Sequence, residues 1–298
     1  MRRDGRRSGN IDDRRGQRMA GVGGGGLILL RFLPFLLRSK GGRVILLIVG
    51  GVFLLSYFGL DGGLLSGLTG GTTTASRNEA LSPQQQELAD FVSIVLADTE
   101  DTWNELFAEQ GIDYAEPTLV LFTGAVRSAC GTGQAAMGPF YCPADQQVYI
   151  DLSFYDDLRV RHGAAGDFAQ AYVIAHEVGH HVQNLLGISS QVRTEQARLS
   201  GAQSNQLSVM QELQADCFAG LWANHANRSR QVLEEGDIDE ALTAAQAIGD
   251  DTLQQQNQGY VRPESFTHGT SQQRAMWFTT GLEQGSLEAC DTFENAQF

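Results

Sequence analysis

Two histidines spaced to share one face of a helix, with a glutamate between them, constrain this chain of 298 residues more than any other feature. Residues 175–183 read AHEVGHHVQ. In a helix, His176 and His180 lie one turn apart and within about 40° of each other in direction, so both imidazoles can bind one cation. Glu177 projects beside that face, where it can reach a water molecule on the metal. His181 points about 140° away from His176, and we therefore expect it to pack or to support a ligand rather than to bind the metal.

The simplest alternative to a metal site is an exposed helix whose histidines have no function. The apolar residues around the motif, including Val173, Ile174 and Val178, argue against this alternative because they predict a partly buried helix. Unpaired imidazoles and a carboxylate would be costly there, whereas metal coordination satisfies them. Gly179 costs about 1 kcal/mol relative to Ala inside a helix, which we interpret as room for another backbone near the metal. The motif thus predicts one zinc ion per chain.

A catalytic zinc needs a third protein ligand and one open position. Residues 210–220 read MQELQADCFAG, in which Glu212 and Asp216 again lie one helical turn apart among apolar residues. Glu212 is the predicted third ligand, and Asp216 is predicted to accept a hydrogen bond from a ligand imidazole and so fix its tautomer. A solvated acidic face is the alternative. If Glu212 is not the ligand, Asp216, His225 and His268 are the next candidates.

The HExxH helix followed by Glu212-Leu213-Gln214-Ala215-Asp216 resembles the gluzincin arrangement of metallopeptidases. More closely, the chain resembles a bacterial family of membrane proteins described as putative neutral zinc metallopeptidases. The resemblance covers nearly the whole chain, in the order NIDDRRG (10–16), GPFYCPADQQVYIDLSF (138–154), AHEVGHHVQ, ELQADCFAG and HGTSQQRAMWFTTG (268–281). It implies a zincin-like, mostly helical metallopeptidase domain with a small β-sheet.

The expected activity is hydrolysis of peptide bonds in a peptide or protein substrate. Glu177 is the predicted general base, and His268, with Tyr260 behind it, is the candidate donor to the oxyanion. A membrane-tethered scaffold with a structural, four-ligand zinc is the alternative, and His268 could then supply the fourth ligand. Zinc amidases that act on non-peptide bonds remain open. An intramembrane protease is excluded because the motif lies far beyond the only candidate span.

Charge divides the chain into a basic head and an acidic body. Residues 1–43 carry eleven basic and three acidic residues, whereas the remaining chain carries ten basic and 32 acidic residues. The acidic body argues against a nucleic-acid partner, because phosphate binding needs clustered Lys and Arg. Residues 44–60 contain no charge and are long enough to predict one membrane-spanning helix. A buried core helix and a cleaved signal peptide are the alternatives.

The expected organisation is α+β with an N-terminal transmembrane helix. It comprises a basic cytoplasmic leader (1–43), the transmembrane helix (44–60), a Gly/Ser/Thr-rich linker (61–77) and a zinc metallopeptidase domain (78–298). Within the domain we expect a helix over 84–110 capped by Ser82, strands over 118–123 and 147–152, and helices from Asp167 onward. The second strand, over 148–152, could offer an edge to an extended peptide.

Basic residues before the span predict a single-pass protein of the bacterial inner membrane, with a cytoplasmic N-terminus and a periplasmic or extracellular catalytic domain. The four cysteines contain no C-x-x-C pair, and an even number suits disulfides in an exported domain. Three pairings are possible. Cys130 with Cys142 is the favoured local pair, which leaves Cys217 with Cys290; four reduced thiols are the alternative.

Overall fold

The first long helix, α1 (Pro83–Glu109), begins at the cap that the sequence predicts. The side chain of Ser82 accepts a hydrogen bond from the backbone nitrogen of Gln85, and the Gln85 side chain accepts one from the backbone nitrogen of Ser82. Pro83 fits the first turn because that turn leaves its backbone N–H groups unpaired. The structure is a computed structural model that describes residues 1–17 and 81–295.

Six short strands form two sheets in the described part of the chain. They are β1 (Ile11–Asp13), β2 (Thr118–Phe122), β3 (Ala125–Ser128), β4 (Gly131–Gln134), β5 (Phe140–Cys142) and β6 (Gln147–Asp151). The larger sheet has the order β1-β2-β6-β5, with β5 antiparallel to β6 and the other pairs parallel; β3 and β4 form an antiparallel hairpin. The predicted strands are confirmed as β2 and β6. Both are almost fully buried, as expected for the centre of a sheet.

Helices make up most of the described chain after the sheet. They are α2 (Ser153–Val160), α3 (Asp167–Leu185), α4 (Ile188–Gln196), α5 (Ala202–Arg230), α6 (Asp237–Ala247), α7 (Asp250–Gln258), α8 (Ser271–Gln284) and α9 (Thr292–Asn295). The HExxH motif lies in the middle of α3, and both acidic residues of the second motif lie on α5. The fold is therefore mostly helical with small sheets, as the sequence predicts for the domain itself.

Helix α5 packs closely against α8 through two glycines. A Cβ atom at Gly220 of α5 would collide with the carbonyl oxygen of Phe278, and one at Gly281 of α8 would collide with that of Cys217. The absence of side chains at both positions lets the two backbones touch. This close approach brings the beginning of α8 to the metal motif, with consequences described below.

The first 17 residues are part of this fold. Strand β1 pairs with β2, so that Ile11 lies beside Leu119. The α-amino group of Met1 lies 2.6 Å from Oδ1 of Asp167, at the start of α3. A single span between residues 17 and 81 would place β1 and β2 on opposite sides of a membrane, yet they share one sheet. The predicted single-pass localisation, with a cytoplasmic N-terminus and an external catalytic domain, is therefore wrong.

The expected N-terminal transmembrane helix also requires correction. Among residues 1–17 and 81–295, no helix combines the length and the apolar character needed to cross a bilayer. The predicted span (44–60) and the predicted linker (61–77) lie outside the described residues. The described residues form a mostly helical fold with small sheets and without a transmembrane helix. The expected membrane association through that helix is not supported.

Two disulfides are present, and both have the predicted pairing. Cys130 is bonded to Cys142, which ties the β3–β4 hairpin to β5. Cys217 on α5 is bonded to Cys290, which ties the segment after α8 back to the helix that carries the acidic motif. The prediction of paired cysteines is confirmed.

Candidate metal centre

The three predicted metal ligands lie together between α3 and α5. Nε2 of His176 is 3.2 Å from Oε2 of Glu212, and Nε2 of His180 is 3.4 Å from Oε1 of the same carboxylate. One donor atom from each residue lies within 4.8 Å of the other two. His225, an alternative ligand, is not part of this group, and its Nε2 donates to the carbonyl oxygen of Gly285. Two imidazole nitrogens and a carboxylate with an open fourth position form a donor set that fits zinc.

Gly179 explains how the second helix comes so near. A Cβ atom at Gly179 would lie 3.0 Å from the carbonyl oxygen of Ala215 and 3.2 Å from its Cα. The glycine of the HExxH motif is therefore where the backbone of α5 approaches that of α3. Since Ala215 lies between Glu212 and Asp216 in sequence, this contact places both acidic side chains against the histidines.

Asp216, the residue predicted to accept a hydrogen bond from a ligand imidazole, lies against His176. Nδ1 of His176 lies 2.8 Å from Oδ1 of Asp216. A carboxylate can only accept, so Nδ1 carries a proton, and Nε2, which faces Glu212, is the nitrogen available to a metal ion. Burial by itself would raise the pKa of Asp216, but the charges of Arg274 and His176 outweigh burial and lower this pKa to about 2. Asp216 therefore remains a carboxylate at any physiological pH.

The electrostatics of the site favour a cation between the three donors. Burial opposes the charged form of His176, yet the neighbouring carboxylates of Asp216 and Glu212 raise its pKa to about 10. The pKa of His180 is also raised, because Glu212 outweighs the effect of burial. Burial would raise the pKa of Glu212, but the two histidines hold it well below its usual value. Without a metal these imidazoles bind protons, and a divalent cation would replace that positive charge.

Glu177 is buried beside the ligands and lines a cavity of about 570 Å³ that opens at the three donors. Burial raises the pKa of Glu177 above its ordinary value, although the charges of His180 and His176 oppose this. A carboxylate with a raised pKa can take and release a proton nearer neutral pH than an exposed one.

His268 lines the same cavity, but it stands apart from the three convergent donors. Its ring nitrogen Nδ1 lies 3.4 Å from Oδ1 of Asp250, and its side chain is about half exposed. The hydrogen bond to Asp250 raises the pKa of His268, against the effect of burial. Tyr260, the residue expected behind His268, is 53% exposed and is not part of the cavity wall.

The segment that leads into β5 also lines the cavity. It contributes residues 135–141, including Met137 and Phe140, and Phe154 of α2 lines the cavity as well. The sequence suggests 148–152 as a possible edge, but β6 is paired on both sides, with β2 and with β5. Within the described residues, the strands at the two ends of the sheet are β1 and β5, and β5 is the one that lines the cavity.

Arg274 is a buried residue of the site for which we made no prediction. Its Nε and Nη2 lie 2.8 and 2.9 Å from the two oxygens of Asp216, and its side chain also lines the cavity. Tyr172 donates to Asp216 as well. The only signal in the sequence is a lone arginine just before the apolar residues 275–278 of α8, shortly after His268.

His181 packs behind the motif, in agreement with the geometric prediction. Its Nε2 lies 2.6 Å from the carbonyl oxygen of Ala115, which can only accept. Its Nδ1 therefore accepts from the hydroxyl of Tyr141, 3.0 Å away. Burial lowers the pKa of His181, which suits a neutral ring with both nitrogens satisfied.

An HExxH helix joined by a glutamate from a second helix defines the donor set of a zinc-dependent hydrolase. Comparison with known proteins agrees. The chain belongs to the family described as "Putative neutral zinc metallopeptidase", which matches residues 1–293. This confirms the resemblance seen in the sequence, and membership of this family implies a zinc cofactor.

The chain is similar to two bacterial proteins over most or much of its length. It is 53% identical to "Uncharacterized protein YpfJ" of Escherichia coli (strain K12) over 300 residues, which cover 98% of this chain and 99% of that protein. It is 45% identical to "Uncharacterized protein Rv2575" of Mycobacterium tuberculosis (strain ATCC 25618 / H37Rv) over 193 residues, which cover 61% of this chain and 64% of that protein. No solved structure is significantly similar to the chain.

Proposed function

We propose that this protein is a zinc peptidase that hydrolyses peptide bonds, with one zinc ion held by His176, His180 and Glu212. The observation that carries the proposal is the convergence of these three donors in a cavity that Glu177 also lines. A zinc ion at this site would supply Lewis-acid chemistry, which makes water a nucleophile near neutral pH and polarises the scissile carbonyl group.

Glu177 acts as the general base. It is buried next to the donors, and its raised pKa suits a group that accepts a proton from the attacking water and then delivers it to the leaving amine. The histidines that flank it in the motif keep their Nε2 atoms turned toward Glu212, so the carboxylate of Glu177 is free for this proton transfer.

His268 donates a hydrogen bond to the oxyanion that forms from the scissile carbonyl group. Its position on the cavity wall and its bond to Asp250 support this role. An extended peptide would lie along β5, because that strand ends the sheet and the segment before it forms a wall of the cavity.

A structural zinc in a non-catalytic scaffold would need four protein ligands. In the described residues the convergent group holds three, and His268, the candidate for the fourth place, is held by Asp250 instead. This arrangement favours the enzyme over the scaffold. Inhibition by a hydroxamate, which needs an open position on the metal, distinguishes the two functions.

Replacement of Glu177 by Gln tests the proposal most simply. We expect the variant to bind one zinc per chain and to lose at least about a hundredfold in hydrolysis, the usual contribution of a general base. Zinc content is measured by metal analysis and hydrolysis with a peptide library and a set of non-peptide amides. Glu283→Gln, at an exposed position of α8, is the matched control. Undiminished hydrolysis in Glu177→Gln would remove Glu177 from the mechanism.

A further inference from the structure

Two buried glutamines connect His180 to the C-terminal part of the chain. Gln183 lies on α3 and is fully buried, and Gln214 lies on α5 and is 5% exposed. Nδ1 of His180 is 2.9 Å from Oε1 of Gln183. Nε2 of Gln183 donates to Oε1 of Gln214 at 3.1 Å, and Nε2 of Gln214 donates to the carbonyl oxygen of Cys290 at 3.0 Å.

Backbone carbonyl groups fix the direction of this chain of hydrogen bonds. Nε2 of Gln183 also lies 2.6 Å from the carbonyl oxygen of Gln211. The carbonyl oxygens of Gln211 and Cys290 can only accept, so the atom that faces each of them must be the amide nitrogen. It follows that Oε1 of Gln183 faces His180 and must accept. Nδ1 of His180 therefore carries a proton, and Nε2 is the nitrogen available to a metal ion.

We propose that Gln183 is a positioning residue that sets the tautomer and ring direction of His180, and that Gln214 acts on His180 only through Gln183. Asp216 has the corresponding role for His176. The two ligand imidazoles are thus held in the same tautomer by different groups, a carboxylate behind one and a neutral amide behind the other. The inference rests on the proposed metal site, though not on peptidase activity.

The C-terminal segment completes the chain of hydrogen bonds that runs from His180 through Gln183 and Gln214 to Cys290, which we call the relay. Cys290 is bonded to Cys217 of α5, and the hydroxyl of Thr292 donates to the carbonyl oxygen of Met210 on the same helix. These two links hold the carbonyl group of Cys290 where Gln214 can donate to it. The segment after α8, which contributes no predicted ligand, therefore supports the orientation of one.

A double-mutant cycle on zinc affinity tests the relay in the full chain. Met is close to Gln in length and flexibility and removes both hydrogen-bonding atoms. We expect Gln183→Met to weaken zinc binding about 10- to 100-fold in competition with a chelator. Gln214→Met should weaken binding by a smaller factor, and it should cause no further loss when Gln183 is already Met. Gln170→Met is the matched control on α3, because Oε1 of Gln170 is buried without a hydrogen-bond partner. This substitution should leave zinc affinity unchanged.

The inference is overturned if Gln183→Met binds zinc as tightly as the wild type, or if Gln214→Met costs the same factor in both backgrounds. A second measurement needs no variant that might unfold. In zinc-loaded wild-type protein labelled with nitrogen-15 histidine, the NMR spectrum should show a proton on Nδ1 of His180; a proton on Nε2 contradicts the relay. Zinc binding without peptidase activity would refute the proposed enzyme and leave the relay intact. If the wild type bound no zinc, the proposed function and the relay's effect on metal affinity would both fall.

Discussion

At the scale of single residues, Asp216 is the centre of the supporting network. It is fully buried, and it accepts hydrogen bonds from Tyr172, His176 and Arg274. A buried carboxylate is stable only when its charge is paired and its oxygens are satisfied. Arg274 meets both needs, so a cation in α8 keeps the carboxylate ionised and the carboxylate keeps His176 in one tautomer.

The hydrogen bond between His268 and Asp250 predicts that kcat/KM falls at alkaline pH, which is the alkaline limb of the pH profile. While Asp250 holds the proton on Nδ1, Nε2 of His268 can donate to an oxyanion only when the ring is protonated. The hydrogen bond to Asp250 raises the pKa of His268. The ring therefore still donates at pH values above the ordinary pKa of histidine, and donation is lost as pH rises through the raised pKa. We expect Asp250→Asn to remove this alkaline limb from kcat/KM, because the Asn amide nitrogen would donate to Nδ1 and leave the proton of the neutral ring on Nε2.

Asn at position 250 keeps an oxygen that can accept from the backbone nitrogens of Thr267, His268 and Gly269, as Asp250 does. The substitution therefore removes charge with little change in the loop. The measurement is kcat/KM across pH for both proteins. An alkaline limb at the same pH in Asp250→Asn and the wild type would show that His268 is not the donor.

The residues that sequence could predict at this scale are those whose geometry is local. His176 and His180 share one helical turn, and so do Glu212 and Asp216, so periodicity alone places each pair on one face. Arg274 is not predicted because its partner, Asp216, lies on another helix, 58 residues away in sequence. Gln183 lies only three residues after His180 on α3, a spacing that a search for metal ligands alone does not consider. Its second partner, Gln214, is 31 residues away, and no local pattern connects those two residues.

At the scale of elements, the distance between α3 and α5 decides whether the ligands meet. The backbone of Ala215 approaches Gly179 within the space that a side chain would occupy. A glycine that weakens the helix by about 1 kcal/mol relative to Ala is therefore retained where it brings the two motifs together.

Gly179→Ala separates these two effects. The added methyl group favours the helix, but its contact with the Ala215 carbonyl oxygen forces α5 to shift by a few tenths of an ångström. We expect zinc affinity to fall about tenfold, because Glu212 moves with α5. Zinc affinity is measured by competition with a chelator, and helix content by circular dichroism. A variant with unchanged zinc affinity would show that the close approach at Gly179 does not position Glu212.

Element boundaries were predictable where caps and alternation are strong. Ser82 and Pro83 mark the start of α1, and the apolar strands β2 and β6 were both identified. The sequence gives little sign of β1, because three residues from a charged leader become a strand only by pairing with β2, more than 100 residues away in sequence. The order of strands is likewise non-local, which explains why β6 was taken for a possible edge.

At the scale of the whole molecule, three arginines of residues 1–17 form ion pairs with acidic residues of the domain. Arg3 pairs with Asp167 and Glu87, Arg6 pairs with Glu100 and Asp101, and Arg7 pairs with Asp90. The charge asymmetry of the sequence predicts membrane topology. For Arg3, Arg6 and Arg7 the structure gives a different cause, because these side chains pair with carboxylates of the acidic domain itself.

Deletion of residues 1–17 tests whether this N-terminal part of the leader is an integral part of the fold. We expect the unfolding midpoint to fall by about 10 °C, since the deletion removes the partner strand of β2 and leaves the buried Glu100 without its cation. Thermal unfolding followed by circular dichroism is the measurement. Arg7→Ala is the control, because its exposed ion pair contributes at most about 1 kcal/mol. A deletion variant as stable as the wild type would contradict this account of the leader.

The central claim is that two helices bring His176, His180 and Glu212 together around one zinc ion. Equilibrium dialysis followed by metal analysis tests it most directly, with wild type, Glu212→Ala and the surface control Glu283→Ala measured side by side. The account predicts one zinc per chain in the wild type and the control, and loss or severe weakening of binding in Glu212→Ala. A wild type without zinc, or a Glu212→Ala variant that retains it fully, would contradict the claim.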